Sequence, residues 1–359
     1  MALYLIYMAS PVIVYFVMNL MAGRSFFSDE RWKKAFLITC GIIMFLMIGL
    51  RSPDVGSGDT RFYYENWENM SVVSFIELQS ILESIDMEQG YMLSVWALSH
   101  VFPEPQMLLV ITAAFFAFSV CRFVSTNSEN PLLSIVIFNC LGLFNFMVQG
   151  QRQAIAMCIC LFAVEQCKSK HFIRFFLLVV LACLFHASAI VFIVVWFLSL
   201  LKLDFNGLLI FGLSISISLF LLPNIFEIMN RFIEDDYTIG TEAEQGGFVA
   251  ILIYIVIIAF AFLYKKGEKS NYSLFLYMTI IGLLAFILRN TVSAIAERVS
   301  LYFAFGQMII LPNSIDSIYD ENTRIFYKIV VVVLCLGVSL YKATYAPVIP
   351  YYFYWMSWI

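Results

Sequence analysis

The sequence predicts an all-α, polytopic integral membrane protein of about twelve transmembrane helices plus a re-entrant or interfacial helix. Three observations carry that. Of 359 residues, 62% are hydrophobic; only 13% are charged; and the mean hydropathy is +0.88. A soluble domain carries roughly 25% charged residues. Apolar stretches recur from end to end, so a single transmembrane domain over 1–359 is expected, with the lipid bilayer as a partner and no nucleic acid.

A helix needs about 20 apolar residues to cross the hydrocarbon core. Candidate spans lie at 3–21, 35–50, 106–124, 131–149, 152–167, 171–186, 187–201, 205–222, 248–264, 272–289, 298–312 and 326–344. The first has no basic region ahead of it and no small-residue cleavage site, so it reads as a retained helix. Gly90–Phe102 is apolar but short, and ends at Pro103 and Pro105. All eight cysteines fall in or beside apolar runs, so no disulfide framework is expected.

Basic residues mark the cytoplasmic side. Lys33 and Lys34 with Arg24 and Arg31, then Lys168, Lys170 and Arg174, then Lys265, Lys266 and Lys269 share one side only if 90–102 does not cross. It therefore reads as re-entrant or interfacial, with both termini outside. Two large external loops follow, at about 51–105 and 223–247. Residues 51–89 hold two basic and eight acidic residues; 223–247 hold one basic residue, Arg231, and six acidic ones. Val72, Phe75, Ile76 and Leu78 begin an amphipathic pattern that suits a helix on the membrane surface. The outside keeps six arginines and one lysine against five arginines and nine lysines inside. Arginine's planar fork suits bidentate binding of phosphate.

The segment Arg51–Trp67 opens the first loop with arginines, aspartates, glycines and aromatics. Arg51 at a helix end has a plain alternative, a snorkelling anchor. Arg152 starts an apolar helix, where the dipole disfavours a cation, so a bound anion or a carboxylate partner is expected. Arg289 and Glu297–Arg298 bracket a short external turn; the plain alternative is a Glu297–Arg298 or an Arg289–Glu297 pair that closes the hairpin. His186 interrupts the apolar run Phe172–Leu201 at the outer surface, where it suits an acid/base role or a phosphate contact; a hydrogen-bonded core histidine is the alternative. Asp59 follows Gly56-Ser-Gly58, and Glu88 opens the 90–102 helix; most other carboxylates in this acidic loop read as solvated. The tail Tyr351–Trp355 reads as an interfacial aromatic anchor. The Gly-Ser-Gly run lacks the Lys-Ser/Thr of a nucleotide loop, and no metal-ligand spacing occurs, so neither cofactor nor metal is expected.

The ordered set Arg51…Gly56…Asp59…Tyr63, Glu88-x-Gly-Tyr91, Arg152-Gln153-x-x-Ala156, Phe185-His186-x-Ser188-Ala189 and Glu297-Arg298-x-x-x-Tyr302 resembles the EpsG family of Wzy-type polysaccharide polymerases. The resemblance implies a GT-C-like protein of the bacterial inner membrane. It implies that undecaprenyl-diphosphate-linked repeat units of O-antigen, capsule or exopolysaccharide are donor and acceptor, joined on the periplasmic or outer face, with a chain-length regulator as a possible protein partner. Carried over, Arg51, Asp59, Arg152, His186 and Arg298 are the expected site. Arginines stabilise the departing diphosphate without metal, and Asp59, His186 or Glu88 takes the acceptor proton. Arg152, Arg298, Arg289 and Gln153 are assigned to the diphosphate, Arg51 to positioning, and Tyr63 and Tyr91 to sugar faces. A flippase or transporter of lipid-linked glycans is the alternative from another class; a polyprenyl-phosphate glycosyltransferase or an O-antigen ligase is the enzyme alternative.

Overall fold

The structure is a computed structural model and describes residues 1–22, 29–56, 58–84, 87–232, 247–264, 272–289, 294–344 and 348–356. The described residues are helical almost throughout. In chain order they are α1 (Ala2–Ala22), α2 (Glu30–Gly49), α3 (Gly58–Met70), α4 (Phe75–Ser84), α5 (Gln89–Val101), α6 (Gln106–Asn127), α7 (Pro131–Cys140), α8 (Leu143–Gln149) and α9 (Gln151–Lys168). Then come α10 (Phe172–Cys183), a 3-10 segment Ala187–Ile193, α11 (Val194–Leu198), α12 (Phe205–Phe232), α13 (Gly247–Leu263), α14 (Tyr272–Leu288), α15 (Ala294–Ala304), α16 (Gln307–Asp316) and α17 (Glu321–Lys342).

Four of these, at Ala2–Met21, Glu30–Gly49, Gln106–Asn127 and Glu321–Lys342, are long and apolar enough to cross a membrane. The α7–α8 pair makes a fifth if its 53° bend at Gly142 is counted within one span. Gly142 has φ +113°, a conformation that a side chain disfavours. The chain is thus an all-helical integral membrane protein with four to five clear spans and several shorter apolar helices. About twelve full spans are not found among the described residues, and the reason is length. The expected spans 171–186 and 187–201 are twelve-residue α10, a 3-10 segment and five-residue α11. At 1.5 Å per residue, α10 covers about 18 Å of a core roughly 30 Å thick. The expected span 298–312 breaks at Phe305–Gly306 into α15 and α16. The thirteen-residue α5 is likewise too short to cross.

The expected external loop at 223–247 begins later than expected, because α12 continues to Phe232. Its remainder, with Arg24, Ser57, Asp86, Lys265, Lys266 and Lys269, lies outside the described residues. Of the amphipathic pattern near 72–85, the part from Phe75 to Ser84 is α4, which buries Leu78 and exposes Phe75 and Ile76. Val72 ahead of it is exposed, and Ile85 lies outside the described residues.

α7 and α9 form the centre. Every residue of α7 and most of α9 are buried, as an all-round apolar helix must be. Polar side chains tie helices across this core: Tyr7 donates to Asn139 at 3.0 Å, and Ser134 to the Met308 carbonyl at 2.5 Å. All eight cysteines are free thiols.

The two ends of the bundle are tied differently. At one end Arg122 pairs with Glu165 at 2.8 Å, and Lys168 donates to the Thr126 carbonyl. At the other, Tyr4 near the N-terminus donates to Asn145, and the C-terminal strap pairs with residues 50–52. That strap corrects the simple anchor reading of the tail. Ser52 N–H donates to the Tyr352 carbonyl, Tyr354 N–H donates to the Leu50 carbonyl, and the Tyr351 hydroxyl donates to the Met47 carbonyl. Tyr351 is buried, while Tyr354 and Trp355 are exposed.

Candidate functional site

α3, the start of α5, the start of α9 and the turn after α10 converge at the strap end of the bundle. Glu88 stands at the N-cap of α5 but does not cap it. Its carboxylate is turned instead toward Arg152 and His186. Oε2 accepts from Arg152 Nη1 at 2.5 Å, and Oε1 accepts from His186 Nδ1 at 2.8 Å. Ala187 N–H adds a third bond to Oε1 at 3.1 Å. The carboxylate partner expected for Arg152 is therefore Glu88.

Burial alone would raise the Glu88 carboxyl. The His186 hydrogen bond and the Arg152 charge overcome it and hold the group down at about 2. An ionised carboxylate only accepts, so the imidazole donates from Nδ1, and Nε2 is the nitrogen left for substrate. The side chains of Glu88, His186 and Arg152 are 16%, 15% and 25% exposed. The cluster is thus screened from bulk water but still open to a ligand.

Local sequence explains how the carboxylate gets there. Tyr91 N–H donates to the Leu184 carbonyl at 3.1 Å, which draws the first turn of α5 onto the end of α10. Only glycine fits at position 90: a Cβ there would stand 2.5 Å from Leu184 Cβ and 2.6 Å from its carbonyl oxygen. Leu184 precedes His186 by two residues, so the same contact fixes the histidine turn against Glu88.

Tyr63 on α3 completes the grip on Arg152. Its hydroxyl accepts from Nε at 3.0 Å, and the guanidinium carbon lies 5.7 Å from the ring centre. Burial raises the Tyr63 hydroxyl above its ordinary value, and the Arg152 bond pulls it partly back. Tyr91 packs edge-on against Tyr63 at 5.5 Å and is itself buried. Gln153, one residue on, is buried and donates to the Arg298 carbonyl at 2.7 Å, which ties α9 to α15. Next to His186, Ser188 and Tyr302 share a 3.2 Å hydroxyl contact.

Arg51 lies behind this cluster. It is fully buried, with Nη2 donating to the Val148 carbonyl at 2.7 Å; Thr60 of α3 reaches the same carbonyl. A snorkelling anchor would be exposed, so that reading of Arg51 is corrected. Burial pushes its guanidinium down to about 10, which leaves it charged at neutral pH.

Three expected residues stand apart from the cluster. Asp59 is exposed in the first turn of α3, one turn before Tyr63. The Arg298 side chain is exposed, and only its carbonyl is engaged, by Gln153. Arg289 bonds Glu297 at 3.5 Å and stacks 4.2 Å from the Phe286 ring centre, the hairpin-closing arrangement. Gly90, Thr60 and the Ala187 N–H complete the site without having been singled out from sequence. Only the glycine left a trace there, in Glu88-x-Gly-Tyr91.

No curated protein and no solved structure matches this chain. The EpsG family model matches residues 34–354. That match covers most of the chain and takes in the whole Glu88–His186–Arg152 cluster, so the chain belongs to the EpsG family, whose members are polysaccharide polymerase-like.

Proposed function

We propose that this membrane protein is a glycosyltransferase that joins polyprenyl-diphosphate-linked oligosaccharide repeat units, with its site on the periplasmic or outer face of the cytoplasmic membrane. The observation that carries the reading is the Glu88 carboxylate bound at once to His186 and Arg152. One arm of that arrangement is a general base held by a carboxylate. The other is a fixed cation beside it.

In this reading the acceptor hydroxyl oxygen attacks the anomeric carbon of the donor sugar. The bond from that carbon to the diphosphate oxygen breaks, and the hydroxyl proton passes to His186 Nε2. Glu88 sets the tautomer and stabilises the imidazolium that forms. Arg152 and the exposed Arg298 meet the charge that grows on the departing diphosphate. Gln153 keeps those two arginines' helices together, and Arg51 positions the Val148 corner of α8. Tyr63 orients Arg152, while Tyr63 and Tyr91 offer apolar ring surface for a sugar face. Asp59 stands in solvent, so the geometry favours His186 as the base.

The experiment is purified protein in detergent with lipid-linked repeat units. A ladder of longer lipid-linked glycans supports polymerisation. No reaction, together with movement of the same units across protein-bearing liposomes, replaces it with transport.

A further inference from the structure

A groove of about 450 Å³ runs along the outside of the bundle between α2 and α6, two of the helices long enough to cross a membrane. Gly41, Ala114 and Ala117 line it and offer nothing larger than a methyl group, which leaves it deep. Its rims are greasy and face outward: Ile38, Ile42 and Phe118 are 62%, 53% and 59% exposed. Cys121 Sγ donates to the Leu37 carbonyl at 3.3 Å, so the two helices stay joined along it.

Polarity is confined to one end. The charged and hydroxyl side chains of the lining are Lys34, near the start of α2, and Arg122 and Ser125, near the end of α6. This is the lysine-rich end of the bundle, where Lys168 reaches the Thr126 carbonyl. Lys34 is exposed, and among the described residues no carboxylate pairs with it; Glu30, one turn back, is taken by Lys33 at 2.8 Å. Arg122 gives Nε and Nη2 to Glu165, which leaves the donors on Nη1 unused. The Arg122–Glu165 pair is neutral as a unit, so Lys34 carries the net charge at the head of the groove.

The ligand chemistry follows from that division. Three donors at one end suit a phosphate, and the apolar remainder suits an aliphatic chain. From Lys34 to Phe45, α2 rises about 17 Å at 1.5 Å per residue, against about 15 Å for half of a core roughly 30 Å thick. The groove is therefore one leaflet deep, with its cation at headgroup level. We propose that it holds one anionic phospholipid of the cytoplasmic leaflet. Its phosphate lies on Lys34, Arg122 Nη1 and Ser125, and one acyl chain lies along Ile38, Ile42 and Phe118. Lys34 selects for net negative charge, since a zwitterionic headgroup brings its own cation. The site is at the opposite end of the bundle from Glu88, His186 and Arg152, and stands whether or not the polymerase reading does.

The test is native mass spectrometry of the full chain in detergent, titrated with phosphatidylglycerol and with phosphatidylcholine of the same acyl chains. The expected result is one retained phosphatidylglycerol, held about fivefold or more tighter than phosphatidylcholine, the worth of one basic residue near a membrane surface. Lys34→Gln removes that preference, and Lys34→Arg keeps it. Lys170→Gln, which changes an exposed cation outside the groove, leaves it unchanged. Ala114→Trp fills the groove from its exposed rim and removes the retained lipid altogether. Lys34 and Ala114 are both exposed, so neither change disturbs the core. Equal affinity for the two lipids, a preference that survives Lys34→Gln or falls as far with Lys170→Gln, or a dimer in place of the lipid adduct overturns the site.

Discussion

His186 Nδ1 lies 2.8 Å from Glu88 Oε1, a bond between residues 98 apart in the chain. It places a carboxylate against Nδ1 of the imidazole and leaves Nε2 out of that bond, the arrangement by which a carboxylate sets a histidine's tautomer. The same carboxylate neutralises Arg152 at the positive end of α9. Removing any one member leaves a charge or an orientation uncompensated.

Acid should expose the carboxylate first. Glu88 is held at about 2 in the folded protein, below the ordinary carboxyl value of about 4.3. A carboxyl held down in this way contributes stability that is complete above about pH 5 and is lost as the pH falls toward 2. The thermal midpoint in detergent, measured from pH 7 to pH 3, should therefore fall more steeply for the native protein than for Glu88→Gln. Parallel curves would contradict the ion pair.

Arg152→Lys should fail as a conservative change. A single ammonium cannot hold Tyr63 and Glu88 in the geometry of a planar fork, so the polymerisation rate should drop about tenfold or more. Arg152→Ala also strips Glu88 of its countercharge and should cost roughly 2 kcal/mol of stability. Rates from lipid-linked repeat units and unfolding midpoints check the two effects separately.

Gly90→Ala should behave as a site variant although it carries no functional group. The added methyl would meet Leu184 at 2.5 Å, so α5 must back away and take Glu88 off His186. A displacement on the order of 1 Å costs about a hundredfold in rate. Retained activity would show that the Glu88–His186 contact does not set the rate.

How far the sequence reaches is plain from these residues. Residue chemistry in chain order was enough to single out Glu88, Arg152 and His186, because a cation at a helix start and a histidine in an apolar run are costly unless used. Partner identity across 98 residues was not legible, since Asp59 and Glu88 look alike until α3 leaves one in solvent and Gly90 presses the other against Leu184. For Arg51 the surface anchor stayed open beside the positioning role, because nothing in its own neighbourhood announces that Tyr352 and Phe353, some 300 residues later, close over it. The count of about twelve spans is not confirmed. The two runs expected to turn at His186 form a twelve-residue helix, a 3-10 segment and a five-residue helix, and apolar composition does not report helix length.

The strap itself is open to test. Tyr351 is buried against α2, and Tyr351→Ala should cost about 3–5 kcal/mol, the range for emptying a large aromatic site. Unfolding in detergent should register it, and Tyr354→Ala, on the exposed side, should be nearly silent.

The most direct measurement is a double-variant cycle on the rate of ladder formation, with Glu88→Gln, His186→Ala and the two combined. If the carboxylate works through the imidazole, the double variant should be no slower than the slower single one, as for residues that act as a unit. Losses that multiply, or a His186→Ala protein that polymerises at the native rate, would contradict it.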